Sequence, residues 1–265
     1  MKQILIASLI VALSQAATAQ ENPLIDGPSW ADLREDFVGD TPLLVADDLF
    51  TVDAPYRAHD AATVPIVIAQ SAGATPIDHA VVIIDENPAP MAADLTFGSA
   101  MHPLKFELRV RVNQYSNVRI LADTAEGTFM KGRYVKASGG CSAPASRDPE
   151  VALASMGLMR LQQFDDPVQM SGQIRDAQIM IRHPNYSGLQ RDQVTQLFIG
   201  AHFIDKLEVF QGDEMLFTME GGISVSENPV FRFSYRENGA PAFHVRARDT
   251  EGNVFEETLQ KNVES

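Results

Sequence analysis

With one cysteine in 265 residues, the chain cannot form an internal disulfide. Its six histidines never fall at a His-x-x-x-His spacing, and a lone cysteine cannot make a Cys-x-x-Cys pair, so no metal-ligand motif is present and no cofactor is expected. Basic residues are scarce: 21 Lys and Arg stand against 35 Asp and Glu, a formal charge of -14. An acidic surface is repelled by a phosphate backbone and by anionic lipid, which excludes nucleic-acid binding and membrane adsorption as expected roles. Solubility is the simplest use of that charge. After the first residues no apolar run is long enough for a membrane helix, which needs about 20 residues. There is also no alternation of strands with helical stretches, so nucleotide-binding α/β folds are not expected.

What is present begins with a sorting signal. Met1-Lys2 is a short positive start, Ile4 to Leu13 is an apolar run, and Ala17-Thr18-Ala19 is the small-x-small pattern that signal peptidase cuts. Residues 1–19 are therefore expected to be removed, leaving Gln20 as the mature start and an exported, periplasmic protein. In such a compartment cysteines usually come in pairs. A single one is a buried apolar filler, an intermolecular bridge or a working thiol.

The neighbours of Cys141 favour the working thiol. Ser138-Gly139-Gly140-Cys141-Ser142-Ala143-Pro144 has no bulky apolar side chain to build a pocket around a sulfur. Gly139 and Gly140 give the backbone freedom and allow close approach to another surface. The segment reads as a flexible arm presenting Cys141, with Gly139 and Gly140 as its support. No lysine or histidine lies within four residues, so nothing local would lower the thiol pKa. A carrier thiol can take its activation from a partner enzyme, whereas a catalytic nucleophile usually brings its own base. A pair of Cys141 with His183 is the one nucleophilic arrangement that distant parts of the chain could supply.

On either side the chain reads as strands. Ser29 is placed to cap a short helix over Trp30 to Phe37. Thr63 to Ala69, His79 to Ile84, Asn117 to Leu121 and Thr128 to Ala137 follow as strands. In Leu104 to Val112, apolar residues at 104, 106, 108, 110 and 112 alternate with Lys105, Glu107, Arg109 and Arg111, which predicts one buried and one wet face. Asp148-Pro149 then predicts a helix, with Val151, Ala154, Leu158 and Leu161 at helical spacing up to Gln163. Beyond Pro167 strand patterns return at Gln178 to Arg182, Leu207 to Phe210, Glu214 to Met219, Phe231 to Tyr235, Phe243 to Ala247 and Val254 to Leu259. The expected architecture is all-β: two immunoglobulin-like sandwiches, over 20–141 and 167–265, joined by a helix-containing connector at 142–166.

The second sandwich carries motifs with a family character. Arg182-His183-Pro184, Ser187-Gly188-Leu189-Gln190-Arg191-Asp192 and Ser224-Val225-Ser226-Glu227-Asn228-Pro229-Val230-Phe231 resemble the SoxZ domain. The upstream half, closing on Gly139-Gly140-Cys141, is similar to the SoxY domain. The resemblance implies a fused SoxYZ-like carrier of the kind found with quinoprotein dehydrogenases. In that family a cysteine on a glycine-rich tail carries sulfur intermediates between enzymes of thiosulfate oxidation. Here Ser142-Ala143-Pro144 and a second domain follow the cysteine, so the thiol sits on a tethered loop rather than a free arm. The resemblance implies a covalent carrier without enzymatic activity of its own, partnered by periplasmic redox enzymes such as sulfur-oxidising enzymes, cytochromes or a quinoprotein dehydrogenase. A non-covalent accessory or assembly protein for a periplasmic dehydrogenase is the alternative, and a thiol-dependent sulfurtransferase a third.

Overall fold

A computed structural model describes residues 22–144, 149–164 and 173–261. The expected signal segment and the Asp148 cap lie outside the described residues. The first half holds α1 (Ser29–Val38) and the strands β1 (Leu43–Val45), β2 (Phe50–Asp53), β3 (Val64–Gln70), β4 (His79–Ile84), β5 (Met91–Phe97), β6 (Lys105–Val110), β7 (Ser116–Thr124) and β8 (Gly127–Val135). After α2 (Pro149–Ala154) come β9 (Met159–Phe164), β10 (Ile174–Ile181), β11 (Ile204–Gln211), β12 (Glu214–Gly221), β13 (Val230–Arg236), β14 (Ala242–Asp249) and β15 (Val254–Gln260).

The expected all-β class holds, and the two halves are joined more closely than a connector alone would join them. Nine strands form one sheet in the order β1-β8-β7-β4-β5-β12-β11-β14-β15, and six form the other in the order β2-β3-β6-β13-β10-β9. Each half thus supplies a sandwich, and both sheets run across the boundary. The seams are antiparallel: β5 meets β12 with Phe97 opposite Phe217, and β6 meets β13 with Phe106 opposite Phe233. A sandwich standing alone would expose these four strands as edges whose free N–H and C=O groups invite unwanted pairing. Joining the halves satisfies those groups.

The interior is correspondingly one core. Phe106 stands at its centre, edge-on to Phe97 and Phe217 with ring centroids 5.4 and 5.0 Å away. The aromatic chain continues from Phe217 to Phe233 at 5.2 Å and from Phe233 to Phe243 at 6.0 Å. Alternation places these rings: in β6 the even-numbered Phe106, Leu108 and Val110 are buried, as their period of two predicts.

Two local expectations change, and β5 joins the strands that were expected. Pro28, not Ser29, precedes α1; Ser29 is its first residue, and its hydroxyl donates to Glu86 Oε1 at 2.7 Å instead of capping the helix. β5 carries no clean alternation in Met-Ala-Ala-Asp-Leu-Thr-Phe and is formed because both of its neighbours, β4 and β12, pair with it. The helix predicted as far as Gln163 ends at Ala154. Gly157, at φ +87°, turns the chain, and a Cβ there would stand 2.2 Å from the Phe255 ring. Met159 to Phe164 then alternates as a strand on β10, so Leu161 reaches the core by strand geometry while Leu158 is exposed.

Candidate functional site at the junction of the two halves

β6 ends at Val110, and Arg111, Val112 and Asn113 follow it outside the strand. After β8 the chain returns to this segment. Gly139 N donates to Asn113 O at 2.8 Å and Gly140 N to Val112 O at 3.1 Å. A single 3-10 turn, Gly140–Ser142, carries Cys141. The two glycines have separate tasks. Gly139 adopts φ +78°, a left-handed conformation that costs a β-carbon dearly. Gly140 lies so close to its neighbours that a Cβ would fall 2.1 Å from Ala61 O and 2.7 Å from Val112 O. The close approach read from the sequence is present; the flexible arm is not.

Cys141 itself is fully buried, at 0% exposure, which corrects the expectation of a presented thiol. The cover comes from the second half. Ser187 Oγ donates to the Cys141 carbonyl, and Gln190 Nε2 donates to the Ala143 carbonyl at 3.0 Å. These side chains are themselves braced, since Ser187 N donates to Gln190 Oε1 at 3.1 Å and Leu189 N to Ser187 Oγ at 3.2 Å. Small residues around a cysteine do not build a pocket locally, but a loop distant in sequence builds one over them.

Arg111 is the second correction. Its place in the alternating run predicted a wet side chain, yet it is 1% exposed. The run leaves the sheet at Val110, and Ser224-Val225-Ser226 closes over the continuation. Arg111 N donates to Ser224 O at 2.7 Å, Ser226 N donates to Arg109 O at 3.1 Å, and Arg111 Nη1 donates to the Val225 carbonyl. Asn87 ties the layer together by donating through Nδ2 to Arg111 O at 2.7 Å and to Ser224 Oγ at 2.8 Å. Ser226 Oγ also reaches across to Ala62 O at 2.8 Å. Arg111 Nε is buried with no hydrogen-bond partner.

Arg111 and Cys141 act on one another electrostatically. Burial pushes the thiol up to about 11, and the nearby Arg111 charge opposes that rise. Burial likewise pulls the guanidinium below its usual range, with Cys141, Glu227 and Asp60 opposing. At neutral pH the thiol is therefore protonated and closed off from solvent.

His183 is engaged elsewhere. Its Nδ1 accepts the Asn185 N–H at 3.0 Å, so Nε2 carries the proton and faces Asp249 Oδ2 at 3.4 Å. His202 Nε2 and Asn253 Nδ2 approach the same oxygen at 2.7 and 2.9 Å, and Asp249 Oδ1 accepts from Glu251 N and Asn253 N. Both ring nitrogens of His183 are occupied, so the arrangement supplies no base for Cys141. His183, His202 and Asp249 lie close enough together to suggest a metal site, but their lone pairs and protons are already matched to one another. The cluster is a buried hydrogen-bonded brace under the loop that covers the thiol.

Both motif stretches of the second half thus converge on one place: Ser187 and Gln190 on the Cys141 turn, Ser224 to Ser226 on Arg111. Residues 34–141 match the family model for sulfur oxidation protein SoxY, ending on Cys141 itself. Residues 165–260 match the family model for sulphur oxidation protein SoxZ. The chain is a fused SoxYZ-like protein. Its two domains place it in a sulfur-oxidation carrier family. Among solved structures it is similar to the sulfur carrier protein SoxY from Chlorobium limicola f thiosulfatophilum, at 22% identity over 41% of this chain and 94% of that one, with a TM-score of 0.34. No curated protein matches the chain. Arg111, Ser187 and Gln190 are the site residues that sequence reasoning missed. The last two stood inside the SoxZ-like motif, where their presence marked the family but not the contact they make.

Proposed function

We propose that this SoxYZ-like protein is a periplasmic carrier that holds sulfur-containing intermediates covalently on Cys141 for partner redox enzymes, without catalysing their conversion. The observation that supports the reading is the convergence of both SoxZ-like motifs on the residue where the SoxY match ends. A carrier that keeps its thiol covered between partners protects it from oxidation and stray disulfide exchange, because the thiolate is the reactive form and burial suppresses it. Loading with an inorganic thiosulfate would join the Cys141 sulfur to the outer thiosulfate sulfur. One S–S bond forms, the thiol proton leaves, and two electrons pass to the partner oxidase. The partner has to open the loop over Cys141 for this to happen, and cytochromes or a quinoprotein dehydrogenase system fit the electron-accepting role.

One observation favours a second reading. A thiol that is fully buried and pushed up to about 11 also suits a non-covalent accessory protein in which Cys141 is a packing residue. Intact mass of the protein taken from its native compartment, before and after reduction, separates the two. Reducible sulfur-containing additions that disappear in Cys141→Ser support the carrier. An unmodified thiol, together with a retained phenotype in Cys141→Ser, would sink it. Turnover of a sulfur donor by the protein alone would point to a sulfurtransferase instead.

A further inference from the structure

We propose that His79 is a proton-operated latch on the joint between the two halves. With its proton it offsets the charge of Asp94, which faces Glu220 across the β5–β12 seam. Without it, that seam carries two opposed like charges.

His79 opens β4, with Asp123 of β7 opposite it on one side and Thr96 of β5 on the other. Its ring lies between two carboxylates: Nδ1 is 2.8 Å from Asp123 Oδ2, and Nε2 is 2.7 Å from Asp94 Oδ1. A neutral imidazole has one donor and one acceptor, so it satisfies only one of these oxygens, whereas the imidazolium donates to both. The other oxygen of Asp123 accepts from Thr128 Oγ1 at 2.6 Å, which fixes that carboxylate from β8. The geometry thus selects the charged ring. Burial works against the charge, but hydrogen bonds to Asp123 and Asp94 prevail and hold His79 above its ordinary value of 6.5.

The strand beyond β5 makes the ring more than a local brace. Asp94 stands directly opposite Glu220 in the antiparallel β5–β12 pair that joins the halves. Like charges placed opposite one another destabilise a strand pair. Lys206 stands on the other side of Glu220, yet its ammonium lies 3.2 Å from Glu208. Arg248, which Glu220 also attracts, is forked onto Asp205 at 3.0 and 2.7 Å. On the remaining sides of His79, Asp78 is paired with His102 at 3.6 Å and Glu126 with the Thr75 hydroxyl.

A histidine raised in the folded state contributes its stability fully below the unfolded value of about 6.5. That contribution is lost as pH rises through the higher folded value. The joint is consequently firmest in acid and loosens toward alkaline pH. His102 and His183 run the other way, because burial holds both down, so the latch is read as a difference between matched proteins.

Thermal unfolding of the full chain from pH 5.5 to 9 supplies the test. His79→Gln is expected to melt about 2–4 °C below wild type at pH 6, with the gap closing by pH 9. In a Glu220→Gln background the gap at pH 6 should shrink by about 1 °C or more, since the charge opposing Asp94 is gone. Glu256→Gln, on the edge strand β15, should leave the gap as it is. Ring 15N shifts of His79 in the wild-type protein need no variant to fold, and both nitrogens are expected to stay protonated above pH 6.5. A ring half-titrated at or below pH 6.5 overturns the proposal, as does a gap that persists at pH 9. A gap that closes with pH but ignores Glu220→Gln makes His79 a local brace and overturns the latch.

Discussion

Replacing Ser187 and Gln190 together with alanine removes the two side-chain hydrogen bonds that, among the described residues, the second half makes to the Cys141 segment. Each bond contributes about 1 kcal/mol net, so the double variant should open the loop more readily by about 2 kcal/mol, roughly a thirtyfold rise in the open population. The thiol supplies a second, independent magnitude. An ordinary cysteine is a few per cent thiolate at neutral pH, whereas one pushed up to about 11 is on the order of one part in ten thousand. Alkylation by iodoacetamide, followed by intact mass from pH 6 to 10, reads both effects. The wild-type rate is expected to lie at least about a hundredfold below that of an exposed thiol near neutral pH. It should keep rising about tenfold per pH unit past 9, because the closed, protonated form remains the reservoir until pH approaches 11. The double variant should run parallel and about thirtyfold faster. A wild-type rate that levels off near pH 8.5, or a variant that reacts no faster than wild type, would refute the covered-thiol reasoning.

Gly140→Ala places a Cβ against the backbone oxygens of Ala61 and Val112, neither of which can swing aside; either the Cys141 turn is expelled, raising its alkylation rate at least tenfold, or stability falls by about 2 kcal/mol or more. In Asp249, burial pushes the carboxyl up, but hydrogen bonds from Asn253, His202 and His183 prevail and hold it down to about 2. A depressed carboxyl stabilises the fold above its unfolded pKa of about 3.9 and loses that contribution as pH falls through about 2. Asp249→Asn should therefore cost about 1–2 kcal/mol at pH 6 in a denaturant titration, and the gap from wild type should close as pH drops from 4 to 2. Phe106→Ala empties the ring position shared by both halves and should cost about 3–5 kcal/mol. Calorimetry of the wild type should show one unfolding transition, since both sheets and the core are continuous across the boundary; two separated transitions would contradict that coupling.

The closed site also changes how a fused carrier would work. A free arm reaches its partner by diffusion of a few flexible residues. Here the thiol-bearing turn is followed directly by chain leading into the second half, and its cover is made from that half. Access consequently depends on motion of the loop around Ser187 to Gln190, not on the length of a tail. That loop continues into an exposed apolar run, Val194, Leu197 and Phe198, beside the cover it forms.

Sequence alone determined the β class, most strand positions, and the importance of the Gly-Gly-Cys segment, because each depends on local rules. A period of two writes strand faces directly, as in Leu104 to Val110, and a glycine pair marks a backbone that must go where a side chain cannot. Tertiary structure decided what lies between residues far apart in the chain. It turned Met159 to Phe164 from helix to strand because β10 was there to pair with it, and it made a strand of β5 because β12 lay beside it. It buried Arg111, whose alternation predicted water, because Ser224 to Ser226 closes over the segment once β6 has ended. It covered Cys141, whose small neighbours predicted exposure, because Ser187 and Gln190 arrive from 46 and 47 residues away to hold the Cys141 and Ala143 carbonyls. Local composition reports how a segment bends and which face it offers. Which group meets that face is set by the joining of the two halves, and that is where the environment of the thiol is made.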